Sequence, residues 1–231
     1  MSSLPSRLYV VCDADVCDHA GWTLVDFASA CLDGGARFLQ VRAKLAGAGL
    51  MLEWTAAIVA RARAAGALVV VNDRADIARV AGAGGVHVGQ RDLPSAMVRL
   101  VCGPGGHVGL LGLSTHTMAQ VESALAEPID YLAVGPVFGT TTKATGHEAV
   151  GLAHLERAVA RSRADRDRGA RPGPGRATAL PVVAIGGITL ERAVDAIRAG
   201  ASSVAVISDL LSTGNPGARV GEFLAVLADV E

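Results

Sequence analysis

This sequence of 231 residues predicts a single-domain α/β fold, a (β/α)8 TIM barrel, on three grounds. Eight short apolar runs recur along it, alanine-rich segments with helical spacing separate them, and one helix–glycine–strand junction repeats. With 51% hydrophobic residues there is enough material for one sizeable core, and barrels of roughly 200 to 250 residues commonly form a single domain. An open doubly wound sheet is the other architecture that repeated β–α units allow.

The runs are Leu8–Cys12, Phe38–Val41, Leu68–Val71, Val86–Val88, Leu110–Leu113, Tyr131–Val134, Val182–Ile185 and Val204–Ile207. They are too short for helices, mostly continuous rather than alternating, and several are rich in valine. Parallel strands buried on both faces read this way. In the helical segments, Leu52, Ala56, Val59 and Ala60 are expected to share one buried face, and Ala193, Val194 and Ile197 another. The repeated junction reads LDGGARFLQV from Leu32, VAGAGGVHVG from Val80 and IRAGASSVAV from Ile197. Glycine just past a helix end takes the left-handed conformation cheaply and turns the chain into the next strand. One segment breaks the rhythm. Residues Arg161 to Leu180 hold six arginines, two aspartates, prolines and glycines with no apolar period, and are expected to form an exposed loop before the seventh strand.

Composition narrows the function classes. A formal net charge of -1 gives no bulk attraction to nucleic acid or an acidic membrane. The arginines of 161–180 are interleaved with acids and lack aromatics. No run reaches the ~18 consecutive apolar residues of a membrane span. The lead Met1–Arg7 is too short and polar for a signal peptide. Cys12, Cys17, Cys31 and Cys102 form no CxxC pair, and free thiols in a reducing cytoplasm are the expectation. His19, His107, His147 and His154 show no metal spacing, and His87, within a strand, reads as a satisfied core residue. GxSxG, P-loop and dinucleotide fingerprints are missing. What remains is a cytoplasmic enzyme of small molecules, with self-association left open.

Barrels carry their chemistry at the C-terminal ends of the strands, so the polar residues there are the candidates. In FLQVRAK, Gln40, Arg42 and Lys44 are spaced by two and project to one face, a cradle for a multiply charged anion. VVVNDRAD puts Asn72 and Asp73 past the third strand, and GVHVGQRDLP puts Gln90 and Asp92 past the fourth. Two carboxylates on neighbouring strand ends suit magnesium, which prefers oxygen and often uses only one or two carboxylates. Both could instead cap the helices that follow. GLSTHT supplies Ser114 and His116, and GPVFGTTTK supplies Thr140, Thr142 and Lys143 for a second anion or the leaving group. AIGGI and VIS place Gly186, Gly187, Ile207 and Ser208 in the last two loops, where barrels often bind phosphate.

Taken in order from Tyr9 to Ser208, QVRAK, VNDRADIA, GVHVGQRDLP, GLSTHT, GPVFGTTTK, AIGGI and VIS resemble the thiamine-phosphate synthase family. The resemblance implies a pyrimidine diphosphate and a thiazole phosphate as substrates and Mg²⁺ as cofactor. It implies that Gln40, Arg42, Lys44, Asn72, Ser114 and Lys143 hold the pyrimidine diphosphate, with Arg42, Lys44, Lys143 and Ser114 catalytic. Asp73 and Asp92 would bind the metal, and Thr140, Thr141, Thr142, Gly187, Ile207 and Ser208 the thiazole phosphate. Gly139 stands where the family usually has proline, and the arginine-rich segment before Pro181 is longer than usual. The rival readings are a thiazole tautomerase working through His116, a non-catalytic thiazole-phosphate binder and a sugar-phosphate isomerase. The first two have no need of the cradle or of the paired aspartates, and the third lacks an identifiable base.

Overall fold

A computed structural model of the chain describes residues 4–103, 109–139, 148–167 and 179–230. Its strands are β1 (Leu8–Asp13), β2 (Phe38–Arg42), β3 (Leu68–Asn72), β4 (Gly85–Val88), β5 (Leu110–Thr115), β6 (Tyr131–Val134), β7 (Val182–Ile185) and β8 (Ser203–Val206). Every neighbouring pair is parallel, and β8 returns to β1, so the sheet closes in sequence order. Closure decides against the open sheet. Helices α1 (Ala14–His19) and α2 (Leu24–Asp33) follow β1, and α3 (Ala48–Ala64), α4 (Ala75–Ala81), α5 (Ser95–Cys102) and α6 (Met118–Leu125) follow the next four strands. Then come α7 (Gly151–Asp167), α8 (Leu190–Arg198), a 3-10 turn (Ser208–Leu211) and α9 (Pro216–Ala228). Each predicted strand lies within two residues of an observed one.

The continuous apolar runs arise because successive side chains enter two different cores. On β1, Leu8, Val10 and Cys12 pack outward under the helices, while Tyr9 and Val11 point into the barrel. The inner core is small and aromatic-rich: Tyr9, Phe38, Val70, Tyr131, Ala133, Val183 and Ala205 fill it. Tyr9 lies flat on Phe38 with ring centroids 3.7 Å apart, and Tyr131 meets Tyr9 edge-on at 6.1 Å. Burying Phe38, Val70 and Val183 there contributes about 1.5–3 kcal/mol of transfer free energy each.

Two local expectations need correction. The buried face of α3 is Met51, Thr55, Ile58, Val59 and Ala62, with Ala56 and Ala60 exposed. Alanine is nearly indifferent to burial, so the larger Met51 and Ile58 orient the helix, and the Thr55 hydroxyl is satisfied by donating to the Met51 carbonyl at 2.6 Å. The segment 161–180 is likewise not all loop: residues 161–167 continue α7. Arginine favours helix, Arg161 pairs with Glu122 at 2.6 Å and Asp165 at 3.7 Å, and the buried Ser162 hydroxyl donates to the Leu180 carbonyl at 2.8 Å. Residues 168–178 of that segment lie outside the described residues.

The barrel is also latched at its N-terminal end. Arg7 sends Nη1 to the carbonyls of Leu227 and Val230 at 2.8 and 2.6 Å, while its own carbonyl accepts from Val204 N–H and the Ser203 hydroxyl. Among the described residues no helix is long and apolar enough to cross a membrane.

Candidate active site at the C-terminal rim

The register of β1 against β2 sets Asp13 beside Arg42. The Arg42 guanidinium donates to the Asp13 carboxylate, which is only 2% exposed. A second Asp13 oxygen accepts from Val16 N–H at 3.3 Å and starts α1. Asp13 was not among the residues expected from sequence. Its signal was there, an acid ending the first strand level with a cation ending the second. Lys44, two residues beyond Arg42, is half-exposed and reaches the Asp73 carboxylate at 3.1 Å. With Asn72 and Met51, Lys44 and Asp73 line a cleft of about 150 Å³.

Asp73 has φ 63°, alone among the described non-glycine residues in a left-handed backbone. That turn lets its N–H donate to the His87 carbonyl at 2.8 Å, carrying the β3–β4 ladder one step past the strand. It also aims the carboxylate along the rim, into hydrogen-bonding contact with Asp92. Burial first, then the neighbouring Asp92 carboxylate, raises the Asp73 pKa against the opposing pull of Lys44. Asp92 itself accepts from Gly89 N–H at 2.8 Å, closing the loop after β4. Neither acid caps a helix, since Arg74 and Pro94 hold the N-cap positions of α4 and α5. Two crowded carboxylates with a purely oxygen donor set fit a hard divalent ion. Among the described residues no third acid, histidine or cysteine joins them, so an ion here takes its other ligands from water or phosphate.

Gln40, Asn72 and His87 are buried at the floor of this rim. Gln40 Nε2 donates to Tyr9 Oη at 2.8 Å, and His87 Nε2 lies 2.8 Å from Ser114 Oγ. His87 is therefore the satisfied core histidine expected, yet it touches a candidate site residue. Gln90 Nε2 donates to the Ser114 carbonyl at 2.6 Å, and His116 Nδ1 lies 2.5 Å from the Gly135 carbonyl.

Across the rim, the loops after β6 and β7 are zipped together: Val137 N–H donates to the Ile185 carbonyl at 2.8 Å, and Phe138 N–H to that of Gly186 at 3.0 Å. Gly187 has φ 63°, and a Cβ there would strike the Phe138 and Gly139 backbone. The double glycine thus serves loop packing directly, a reason the sequence did not reveal. Arg192 donates to the Gly187 carbonyl at 2.9 Å, and its guanidinium sits 5.1 Å from the Phe138 ring centroid. Ile207 and Ser208 lie where β8 passes into the 3-10 turn. Thr140, Thr141, Thr142 and Lys143 lie outside the described residues.

Comparison with known proteins then decides the family. The family model described as thiamine monophosphate synthase matches residues 8–210, from the start of β1 into the 3-10 turn. The chain belongs to the thiamine monophosphate synthase family. The thiamine-phosphate synthase of Koribacter versatilis is 42% identical over 223 residues, covering 96% of this chain and 95% of that one. That of Roseiflexus castenholzii is 37% identical, covering 96% and 88%. A solved thiamine phosphate pyrophosphorylase from Pyrococcus furiosus superposes with a TM-score of 0.79 at 26% identity, covering 97% of this chain and 96% of the other. The thiamine monophosphate synthase match thus takes in all eight strands and the whole rim.

Proposed function

We propose that this chain joins 4-amino-2-methyl-5-(diphosphooxymethyl)pyrimidine to a thiazole (carboxy)ethyl phosphate, giving thiamine phosphate and diphosphate, with CO2 released as well when the thiazole carries the carboxylate. One observation carries the reading: two cations, Arg42 and Lys44, stand on the same stretch of rim as the paired carboxylates Asp73 and Asp92. Family membership supplies the substrate class.

The bond from the pyrimidine methylene carbon to the diphosphate oxygen breaks, and its electron pair leaves with the diphosphate. The aminopyrimidine ring stabilises the resulting cation, and the thiazole nitrogen donates its lone pair to form the new C–N bond. No protein nucleophile is needed. The chain's work is to position two substrates and meet developing negative charge. Arg42, held by the buried Asp13, is aimed before the substrate arrives, while the half-exposed Lys44 would swing from Asp73 onto the diphosphate. Lys143 and Ser114 complete the catalytic set. Asp73 and Asp92 would hold Mg²⁺, which when bound supplies further positive charge to the leaving group. Gln40 and Asn72 hold the pyrimidine, and Thr140, Thr141, Thr142, Gly187, Ile207 and Ser208 the thiazole phosphate. Four buried, free cysteines suit a cytoplasmic setting.

Mixing both substrates with and without magnesium tests this. Thiamine phosphate is expected only in the complete mixture, and its absence there would remove the assignment.

A further inference from the structure

Below the rim, five polar side chains cross the apolar barrel interior in one unbroken line. Gln40 Nε2 donates to Tyr9 Oη at 2.8 Å, and the two phenol oxygens of Tyr9 and Tyr131 are 3.0 Å apart. Tyr131 Oη then lies 2.9 Å from His87 Nδ1, and His87 Nε2 lies 2.8 Å from Ser114 Oγ. Gly112 makes the room, since a Cβ there would overlap the Tyr131 ring and His87 Nδ1. Burial pushes both phenol pKa values up, so each tyrosine keeps one hydrogen to give.

With one hydrogen each, the tyrosines make every bond in the line run the same way. Tyr9 accepts from Gln40, so it donates to Tyr131; Tyr131 donates to His87 Nδ1. With Nδ1 accepting, the His87 ring proton sits on Nε2 and is donated to Ser114. The Ser114 hydroxyl hydrogen is left to point elsewhere, and Gln40 presents its carbonyl. One other consistent arrangement exists. It reverses every bond and turns the Gln40 amide over, so Gln40 would present N–H and Ser114 its oxygen. The two ends are tied: one offers a donor when the other offers an acceptor.

We propose that this line locks the hydrogen-bonding polarity of the pyrimidine pocket and selects an amino- over an oxo-pyrimidine, with Tyr9, Tyr131 and His87 as positioning residues. An amino group donates where the Gln40 carbonyl accepts; an oxo group sets acceptor against acceptor. An unrestrained glutamine turns over to suit either ring, whereas here it turns only with the whole line, which takes the Ser114 hydrogen away from the diphosphate. The inference rests on the proposed function, with Gln40 holding the pyrimidine and Ser114 donating to the diphosphate.

The test compares the aminopyrimidine diphosphate with its 4-oxo analogue in wild type, Tyr9→Phe, Tyr131→Phe and Gln40→Ala, each checked for fold by circular dichroism. Both phenylalanine variants should lose about tenfold or more of the amino preference in kcat/KM, mainly through KM. The KM for thiazole phosphate should stay put. Nitrogen NMR of the ¹⁵N-histidine-labelled wild type should find the His87 proton on Nε2, a readout that needs no variant to fold. Full preference in either folded phenylalanine variant, or the proton on Nδ1, overturns the proposal. An unchanged pyrimidine KM in Gln40→Ala would instead remove the pyrimidine assignment, and this inference with it.

Discussion

Asp73 is held in a backbone conformation that costs a non-glycine residue about 1–3 kcal/mol, and it faces a like charge besides. Such strain persists where position matters more than stability. Asp73→Gly relieves both, so the melting temperature should hold or rise while product formation falls at least about a hundredfold. Asp92→Ala should give the same loss with the fold intact. Wild-type-like turnover in either variant would remove the metal assignment. Arg42→Ala should raise KM for the pyrimidine diphosphate far more than for the thiazole phosphate; equal rises would count against a divided site. Asp13→Asn keeps the shape but weakens the hold on Arg42. It should cost about 1–3 kcal/mol of stability and about tenfold in kcat/KM for the pyrimidine diphosphate alone, read by denaturant unfolding and steady-state kinetics. Sequence pattern exposed Arg42, Lys44, Asp73 and Asp92 because charged groups ending buried strands stand out. Asp13 stayed hidden because its meaning comes from register with a strand about thirty residues later.

Between elements, the glycines after β7 tie two loops together, and that bond is easily cut. Gly187→Ala forces alanine to a positive φ and drives its methyl into the β6 loop. A loss of about 1–3 kcal/mol is expected, with KM for thiazole phosphate raised more than that for the pyrimidine diphosphate, and matched kinetics on both substrates would show it. Strands were legible because valine-rich runs can be buried on both faces only in a sheet like this one. The face of α3 was not, because alanine's small area leaves the choice to Met51 and Ile58. The end of α7 was hidden for a different reason. Its helicity past Arg161 is held by partners elsewhere, Glu122 and the Leu180 carbonyl.

At the scale of the whole molecule, stability and chemistry are kept apart. The packing of the barrel needs no metal and the paired carboxylates sit at the rim, so a chelator should abolish turnover yet leave the substrate-free protein folded, its melting temperature lowered only by the loss of magnesium binding. Diphosphate should raise that temperature only with magnesium present, by about 2.7 kcal/mol of stability at a hundredfold excess over Kd. Calorimetry with and without chelator checks both halves. The eightfold rhythm was legible because it repeats; the polar line across the interior was not, since its members come from β1, β2, β4, β5 and β6. The Arg7 latch has a practical consequence. It brings the first strand and the last helix together on the side away from the chemistry. Splicing 230 to 4 through a short flexible linker, and reopening the chain in a surface loop near Gly66, should therefore give a permuted enzyme that still turns over.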